Sequence, residues 1–318
     1  MKRYLTFVLI LLFSLALGYS GNGKKSPRLP ASKPFSNSIF VEIDNMVLHY
    51  RIWPAAVSND SLPWVLMVHG MAGSTYSWEN NAPELSAAGF NVIAVDMPPF
   101  GYSDKNPDYN QSTDNRAALL WNFLNSIHPN SKWNLVGHSM GGGIVQCMAI
   151  TRPEQVDRVV FVDPALFNSL AEKHPHQMSI LRFRPFEWIA TGLGNAFMIR
   201  PKTITKMLRS AYGQEPGPAD ADEYYKAIHQ RGFAKALLRS SAKSKPSIPV
   251  DGTLFNKPAI AVWGDKDTWV PLSGMQPLLD KLSCVKVVII PGAGHLPMAT
   301  HVKLFNGYVI NFLLNHHE

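Results

Sequence analysis

The chain of 318 residues holds only two cysteines, Cys147 and Cys284. A disulfide-stapled scaffold is thereby excluded, and each cysteine reads as a small buried apolar residue rather than a bridge or a reactive thiol. No Cys/His cluster has metal-ligand spacing, so no metal site is implied. No glycine-rich phosphate loop or dinucleotide fingerprint is present, so no cofactor is implied either. Internal repeats and long low-complexity runs are missing. Charged residues are 17% and hydrophobic residues 46% of the chain, the balance of an ordinary globular enzyme. A nucleic-acid partner is not expected, and the length suits one large α/β domain carrying an insertion.

What is present begins with an unusual N-terminus. Lys2 and Arg3 precede an apolar run from Leu5 to Leu17, and small residues come next at Gly18, Ser20 and Gly21. This is the order of a secretory signal, or of an anchor if it is not cleaved. Residues 1–20 are therefore read as signal peptide or membrane anchor, which places the domain outside the cytoplasm: secreted, periplasmic or membrane-anchored. Residues 21–38, rich in Pro, Ser and Lys, read as a flexible linker.

The most informative feature is Ser139, set in Gly137-His138-Ser139-Met140-Gly141. An apolar strand, Lys132 to Val136, precedes it, and a helix, Met140 to Thr151, comes after. A serine between glycines at a strand-to-helix turn sits on a strained backbone with its hydroxyl pointing outward. The new helix brings backbone N–H groups and a positive dipole end beside that hydroxyl. A free serine is a poor nucleophile and needs both activation and a place for negative charge. The plainer reading is a turn serine with no chemistry; an acid and a histidine further along the chain weigh against it.

A histidine to take the hydroxyl proton and a carboxylate to orient it are both found downstream. The apolar strand Pro258–Trp263 ends in Gly264-Asp265-Lys266-Asp267. The strand Val285–Ile290 ends in Pro291-Gly292-Ala293-Gly294-His295. Loops at the C-terminal ends of parallel strands converge on one crevice. Asp163, at the end of Val159–Val162, is a rival acid, and its plain alternative is a cap for the next segment. Asp96 is read as a partner of turn amides, His69 as structural, and His138 as lining the elbow without reacting.

The chain order Ser139, Asp267, His295 resembles that of the α/β-hydrolase family, and the likeness runs from about Ile39 to the C-terminus. It includes Val65-Leu66-Met67-Val68-His69-Gly70-Met71 and Asp96-Met97-Pro98-Pro99-Phe100-Gly101-Tyr102-Ser103-Asp104. The resemblance implies Ser139, Asp267 and His295 as catalytic residues, with Asp267 favoured over Asp265. It also implies the backbone N–H groups of Met71 and Met140 as the oxyanion hole. The fold implied is α/β, a mostly parallel sheet with helices on both faces and an inserted helical cap. The core would be residues 39–163 and 251–318, and the cap residues 164–250.

Strands at Ile39–Ile43, Val47–Trp53, Trp64–Val68, Asn91–Val95 and Arg158–Val162 alternate with helices at Pro83–Ala88, Thr113–Ile127 and, at the end, Val302–Leu314. The hairpin between the first two strands turns at Asp44-Asn45-Met46. Within the insertion, helices are expected at Gln177–Leu193, Pro201–Tyr212 and Asp222–Ser241. Residues 164–250 hold 13 Lys and Arg against 6 Asp and Glu, which accounts for the whole formal charge of +7. This reads either as a basic lid that approaches a membrane surface or anionic substrates, or as a solvated helical face. Phe183, Phe186, Trp188, Ile189, Phe197, Met198, Ile199 and Met207 would supply an apolar underside.

The activity expected is hydrolysis of a carboxylic ester, as in an esterase or lipase, through an acyl-enzyme on a small-molecule ester or acyl substrate. The serine at the elbow argues against the dehalogenase and epoxide-hydrolase branches, which use Asp there. A carbon–carbon bond hydrolase of the meta-cleavage type is the alternative. The Met71-Ala72-Gly73 turn and Leu296 depart from its usual pattern. A small-molecule sensor on a hydrolase scaffold is the third reading. Substrate-binding residues are not assigned.

Overall fold

The structure, a computed structural model, describes residues 33–56, 62–129, 131–170 and 199–315. The N-terminal apolar run, most of the linker, the helix expected at Gln177–Leu193 and the apolar residues Phe183 to Met198 lie outside the described residues. Among the described residues, no helix is long and apolar enough to cross a membrane.

Eight strands form one sheet in the order β1-β2-β4-β3-β5-β6-β7-β8. They are β1 (Ser38–Ile43), β2 (Met46–Trp53), β3 (Trp64–Val68), β4 (Asn91–Val95), β5 (Trp133–His138), β6 (Val156–Val162), β7 (Ala259–Gly264) and β8 (Val285–Ile290). The β1–β2 and β2–β4 pairs are antiparallel and all others are parallel. Asp44 (φ 50°) and Asn45 (φ 61°) make the tight hairpin turn that joins β1 to β2, both in the left-handed region that Asp and Asn tolerate.

The strand residues are apolar on both sides because helices cover both faces. Alternation sorts them. Val65, Met67, Val92, Ala94, Val136 and Val160 point to one face. Leu66, Val68, Ile93, Val95, Leu135 and Val159 point to the other. Helices α2 (Thr113–Ile127) and α3 (Met140–Thr151) cover the second face through Ala117, Leu120, Leu124, Ile144 and Met148. The first face is covered by α1 (Ala82–Ala87) and by the closing helix Val302–Leu314, whose Phe305, Val309 and Leu313 are buried. Each of these side chains larger than alanine contributes about 1.5–3 kcal/mol on burial.

Three helices of the insertion are described: α4 (Pro201–Tyr212), α5 (Pro218–Ile228) and α6 (Phe233–Lys243). Their buried Ile204, Leu208, Tyr224 and Leu237 join the same apolar cluster as the first sheet face. The single helix expected over Asp222–Ser241 is two. Gly232, at φ 88°, turns the chain between α5 and α6, a conformation that other residues rarely adopt.

Helix α7 (Leu272–Leu279), between β7 and β8, was not anticipated from the sequence, because Pro277 within it masks the helical pattern. The end of the supposed linker is also held to the core. Phe35 N–H donates to Ser38 Oγ (3.0 Å), Asn37 Nδ2 donates to Ile52 O (3.2 Å), and Arg51 lies over the Phe35 ring at 4.1 Å.

Candidate active site

Strand β5 runs fully buried up to His138 and delivers Ser139 at φ 50°, ψ −115°, a strained backbone for a residue with a side chain. Helix α3 starts at the next residue. Two close approaches explain the flanking glycines. A Cβ on Gly137 would press into the Gly141 carbonyl, and a Cβ on Gly141 would press into the Val68 carbonyl. The turn is fixed from behind by Ser139 N–H to Val162 O (3.0 Å) and by Ala165 N–H to Ser139 O (2.9 Å).

The turn after β3 lies against this elbow. Gly73 N–H closes it onto Gly70 O (3.1 Å), with Ala72 at φ 62°. An added Cβ on Gly70 would meet the Ser139 Cβ at 3.1 Å, so the two loops touch. Among the described residues, neither the Met71 nor the Met140 amide donates a hydrogen bond. His69 is fully buried, with Nδ1 donating to Gly70 O (2.7 Å) and Nε2 accepting from Met97 N–H (2.9 Å). Burial pushes its pKa down, which matches a neutral ring with one donating and one accepting nitrogen.

Asp96 ties three segments together. Its carboxylate accepts from Thr75 N–H (2.6 Å), Tyr102 N–H (2.7 Å) and His49 Nδ1 (2.7 Å). Burial opposes its charge, but His49 and these donors hold its pKa below the usual value. His49 Nε2 in turn bonds Ser38 Oγ (2.8 Å), so Ser38, His49 and Asp96 form a Ser–His–Asp chain. All three are 0% exposed, so this chain serves as a brace with no access for a substrate.

The loops after β7 and β8 bring Asp267 and His295 together. His295 Nδ1 donates to Asp267 Oδ2 at 2.8 Å, and both residues are buried. Asp267 Oδ1 accepts from the N–H groups of Trp269 (2.7 Å) and Val270 (3.0 Å), which fixes the carboxylate. Asp265 does not reach His295. Its Oδ1 accepts from Gly292 N–H (2.6 Å) and links the two loops. The His295 backbone is held on both sides, by its N–H to Ala211 O (2.6 Å) on α4 and by its carbonyl accepting from His138 Nε2 (2.8 Å). Burial, and then the neighbouring His295, push the pKa of His138 well down.

Asp163 sits beside this pair at 0% exposure, with φ 40°. Its Oδ1 accepts from Gly264 N–H (3.0 Å), while Oδ2 is buried with no hydrogen-bond partner among the described residues. Burial and the Asp267 charge push the Asp163 carboxyl well above the usual range. Donor atoms of Asp163, Asp267 and His295 lie within 4.8 Å of one another, close enough to surround a cation. Both Asp267 oxygens are already engaged by N–H donors.

Ser139 and His295 line one pocket, together with Gly70 and Met71 of the neighbouring turn. Its remaining wall includes Met207, Leu208 and Ala211 of α4, Leu296, Trp269, Ser77 and Tyr224. Sequence reasoning missed Trp269, whose ring stacks on His295 at 5.6 Å and 22°; its nearness to Asp267 in the chain was the only signal. Ser77 and Tyr224 were missed as well, because their meeting joins positions 147 residues apart. Of the apolar residues named from the sequence, Met207 lines the pocket, and Ile199 is buried in the cluster beside it. Cys147 is buried and its thiol pushed up to about 12 by burial; Cys284 is half-buried, and both are free thiols.

Similarity to known proteins runs along most of the chain. A hydrolase of uncharacterized activity from Bacillus subtilis is 25% identical over 287 residues, covering 85% of this chain and 96% of that one. A 2-hydroxy-6-oxononadienedioate/2-hydroxy-6-oxononatrienedioate hydrolase of Burkholderia vietnamiensis is 24% identical over 275 residues, covering 84% and 90%. Among solved structures, a bacterial membrane phospholipase A superposes with a TM-score of 0.66 at 21% identity, covering 98% of this chain and 90% of that one. Residues 63–302 match the family described as alpha/beta hydrolase fold, well over half of the sequence. With this match, and with the sheet order and strand-to-helix elbow above, the chain belongs to the alpha/beta hydrolase fold family.

Proposed function

We propose that this hydrolase cleaves carboxylic esters through a covalent acyl-enzyme, with Ser139 as nucleophile, His295 as general base and then acid, and Asp267 as the acid that orients it. The observation that carries this reading is the Asp267–His295 hydrogen bond of 2.8 Å, in the same pocket as an elbow serine. Ser139 Oγ bonds to the ester carbonyl carbon as His295 Nε2 takes its proton. Nδ1 keeps its proton and stays bonded to Asp267. The carbonyl oxygen gains the negative charge, and the N–H groups of Met71 and Met140 receive it. Their lack of another acceptor among the described residues supports that role. As the tetrahedral intermediate collapses, the bond to the alkoxy oxygen breaks and His295 returns the proton to it. Water then attacks the acyl-enzyme, with His295 again the base, and releases the acid and free Ser139.

A second reading is carbon–carbon hydrolysis, favoured by the Burkholderia relative at 24% identity. That relative's named substrates are dicarboxylates. The pocket wall here offers apolar side chains and the hydroxyls of Ser77 and Tyr224, which suits an uncharged ester. Residues 164–250 serve in this reading as a cap over the site, and residues 1–20 as the export signal or anchor. Deleting residues 1–20 should retain the protein in the cytoplasm, and undiminished export would contradict that assignment.

The reading is tested with p-nitrophenyl esters from acetate to palmitate, using the protein and its Ser139→Ala variant. Steady turnover that falls by at least about a thousandfold in the variant is expected. No turnover of any ester, alongside cleavage of a meta-cleavage dienoate, would replace it with the carbon–carbon reading.

A further inference from the structure

Ser77 and Tyr224 meet across the substrate pocket. Ser77 stands on the short 3-10 turn Thr75–Trp78 after β3, and Tyr224 on α5 of the insertion. Their hydroxyl oxygens are 2.9 Å apart, each residue is 6% exposed, and both line the pocket that holds Ser139 and His295.

Two hydroxyls that share one hydrogen bond have one proton to spare. If Tyr224 donates to Ser77, the serine proton is free; if Ser77 donates, the phenol proton is free. Among the described residues neither hydroxyl has a further partner. The nearby Asp220 carboxylate makes no hydrogen bond to either hydroxyl; its Oδ1 accepts from Tyr76 OH (3.0 Å). The phenol does not lose its proton either, since burial pushes the Tyr224 pKa up. The indole N–H of Trp269, which also lines the pocket, is spent on Ser210 Oγ (3.1 Å). The pair is thus a neutral donor in a pocket whose lining outside Ser139, His138, His295 and Trp269 is apolar, with Met207, Leu208 and Leu296. A bound substrate that displaces water from it without offering an acceptor leaves a buried donor unpaired, which costs binding.

We infer that Ser77 and Tyr224 form a polar subsite that selects esters bearing a second, uncharged oxygen acceptor, such as an ether or hydroxyl oxygen, near the scissile bond. The inference rests on the ester reading above and adds to it the class of ester.

Matched esters differing by one CH₂-to-oxygen exchange test it. On the acyl side the pairs are p-nitrophenyl methoxyacetate against butyrate and methoxypropanoate against pentanoate. On the alcohol side the pair is methoxyethyl acetate against butyl acetate. The readout is the ratio of kcat/KM within each pair, which does not depend on the fraction of enzyme that is folded. Because the added oxygen also activates the ester inductively, the informative quantity is the change in this ratio: the Ser77→Ala/Tyr224→Phe double variant should lower it by about fivefold or more for at least one pair, and each single variant should lower it in part. The pair that shows the effect tells whether the acyl or the alcohol group occupies the subsite. Esters turned over with equal ratios in the protein and the double variant would overturn the subsite and leave the ester reading intact. Failure to turn over any ester would overturn both.

Discussion

At the scale of single residues, the site turns on which of two neighbouring acids serves His295. Asp267 holds the histidine at 2.8 Å and is itself held by two backbone N–H groups. Asp163, the rival visible in the sequence, lies in the same cluster but bonds Gly264 N–H, not His295. Asp267→Asn should therefore lower kcat by about ten-thousandfold, since the amide imposes the wrong histidine tautomer. Asp163→Asn should lower it by less than about tenfold, since the Asp163 carboxyl bonds Gly264 N–H and makes no hydrogen bond to His295. Steady-state kinetics on one ester checks both, and the reverse ranking would make Asp163 the catalytic acid.

At the scale of elements, the segments with strong local patterns were legible. Helices Thr113–Ile127, Met140–Thr151, Pro201–Tyr212 and Val302–Leu314 fall where apolar spacing places them. Strand Val285–Ile290 does too. The hairpin at Asp44-Asn45 and the elbow at Ser139 were legible because their backbone demands particular residues. Other elements were hidden for physical reasons. The pattern from Asp222 to Ser241 is continuous enough to hide the turn at Gly232, and Pro277 hides α7. Contacts between distant positions left no trace in local sequence: Trp269 on His295, Ser77 with Tyr224, and the Asp96 links to His49 and Thr75. Gly232 supplies a test at this scale. Gly232→Ala forces a side chain into φ 88° and should destabilise the fold by about 1–2 kcal/mol, read by denaturant unfolding. No change in stability would mean that the turn relaxes at little cost.

At the scale of the whole molecule, buried imidazoles couple stability to pH. His69 and His138 have pKa values below the ordinary 6.5, chiefly through burial. The unfolded chain binds more protons than the folded one below that value, so the stability they contribute is lost as pH falls through 6.5. Asp163, raised above 3.8, works in the opposite sense. The histidine contribution is isolated by His138→Gln, whose amide can still donate to the His295 carbonyl. The stability advantage of the protein over this variant should shrink from about pH 7 to about pH 5. A constant difference across that range would mean that His138 does not couple to pH.

The reading of the whole molecule depends on one bond, between the Ser139 oxygen and the acyl group. Acid quenching during turnover of a p-nitrophenyl ester, then peptide mass spectrometry, looks for it directly. The acyl mass should appear on the peptide containing Ser139 and be lost in Ser139→Ala. An acyl group on any other residue, or none during steady turnover, would contradict nucleophilic catalysis by Ser139.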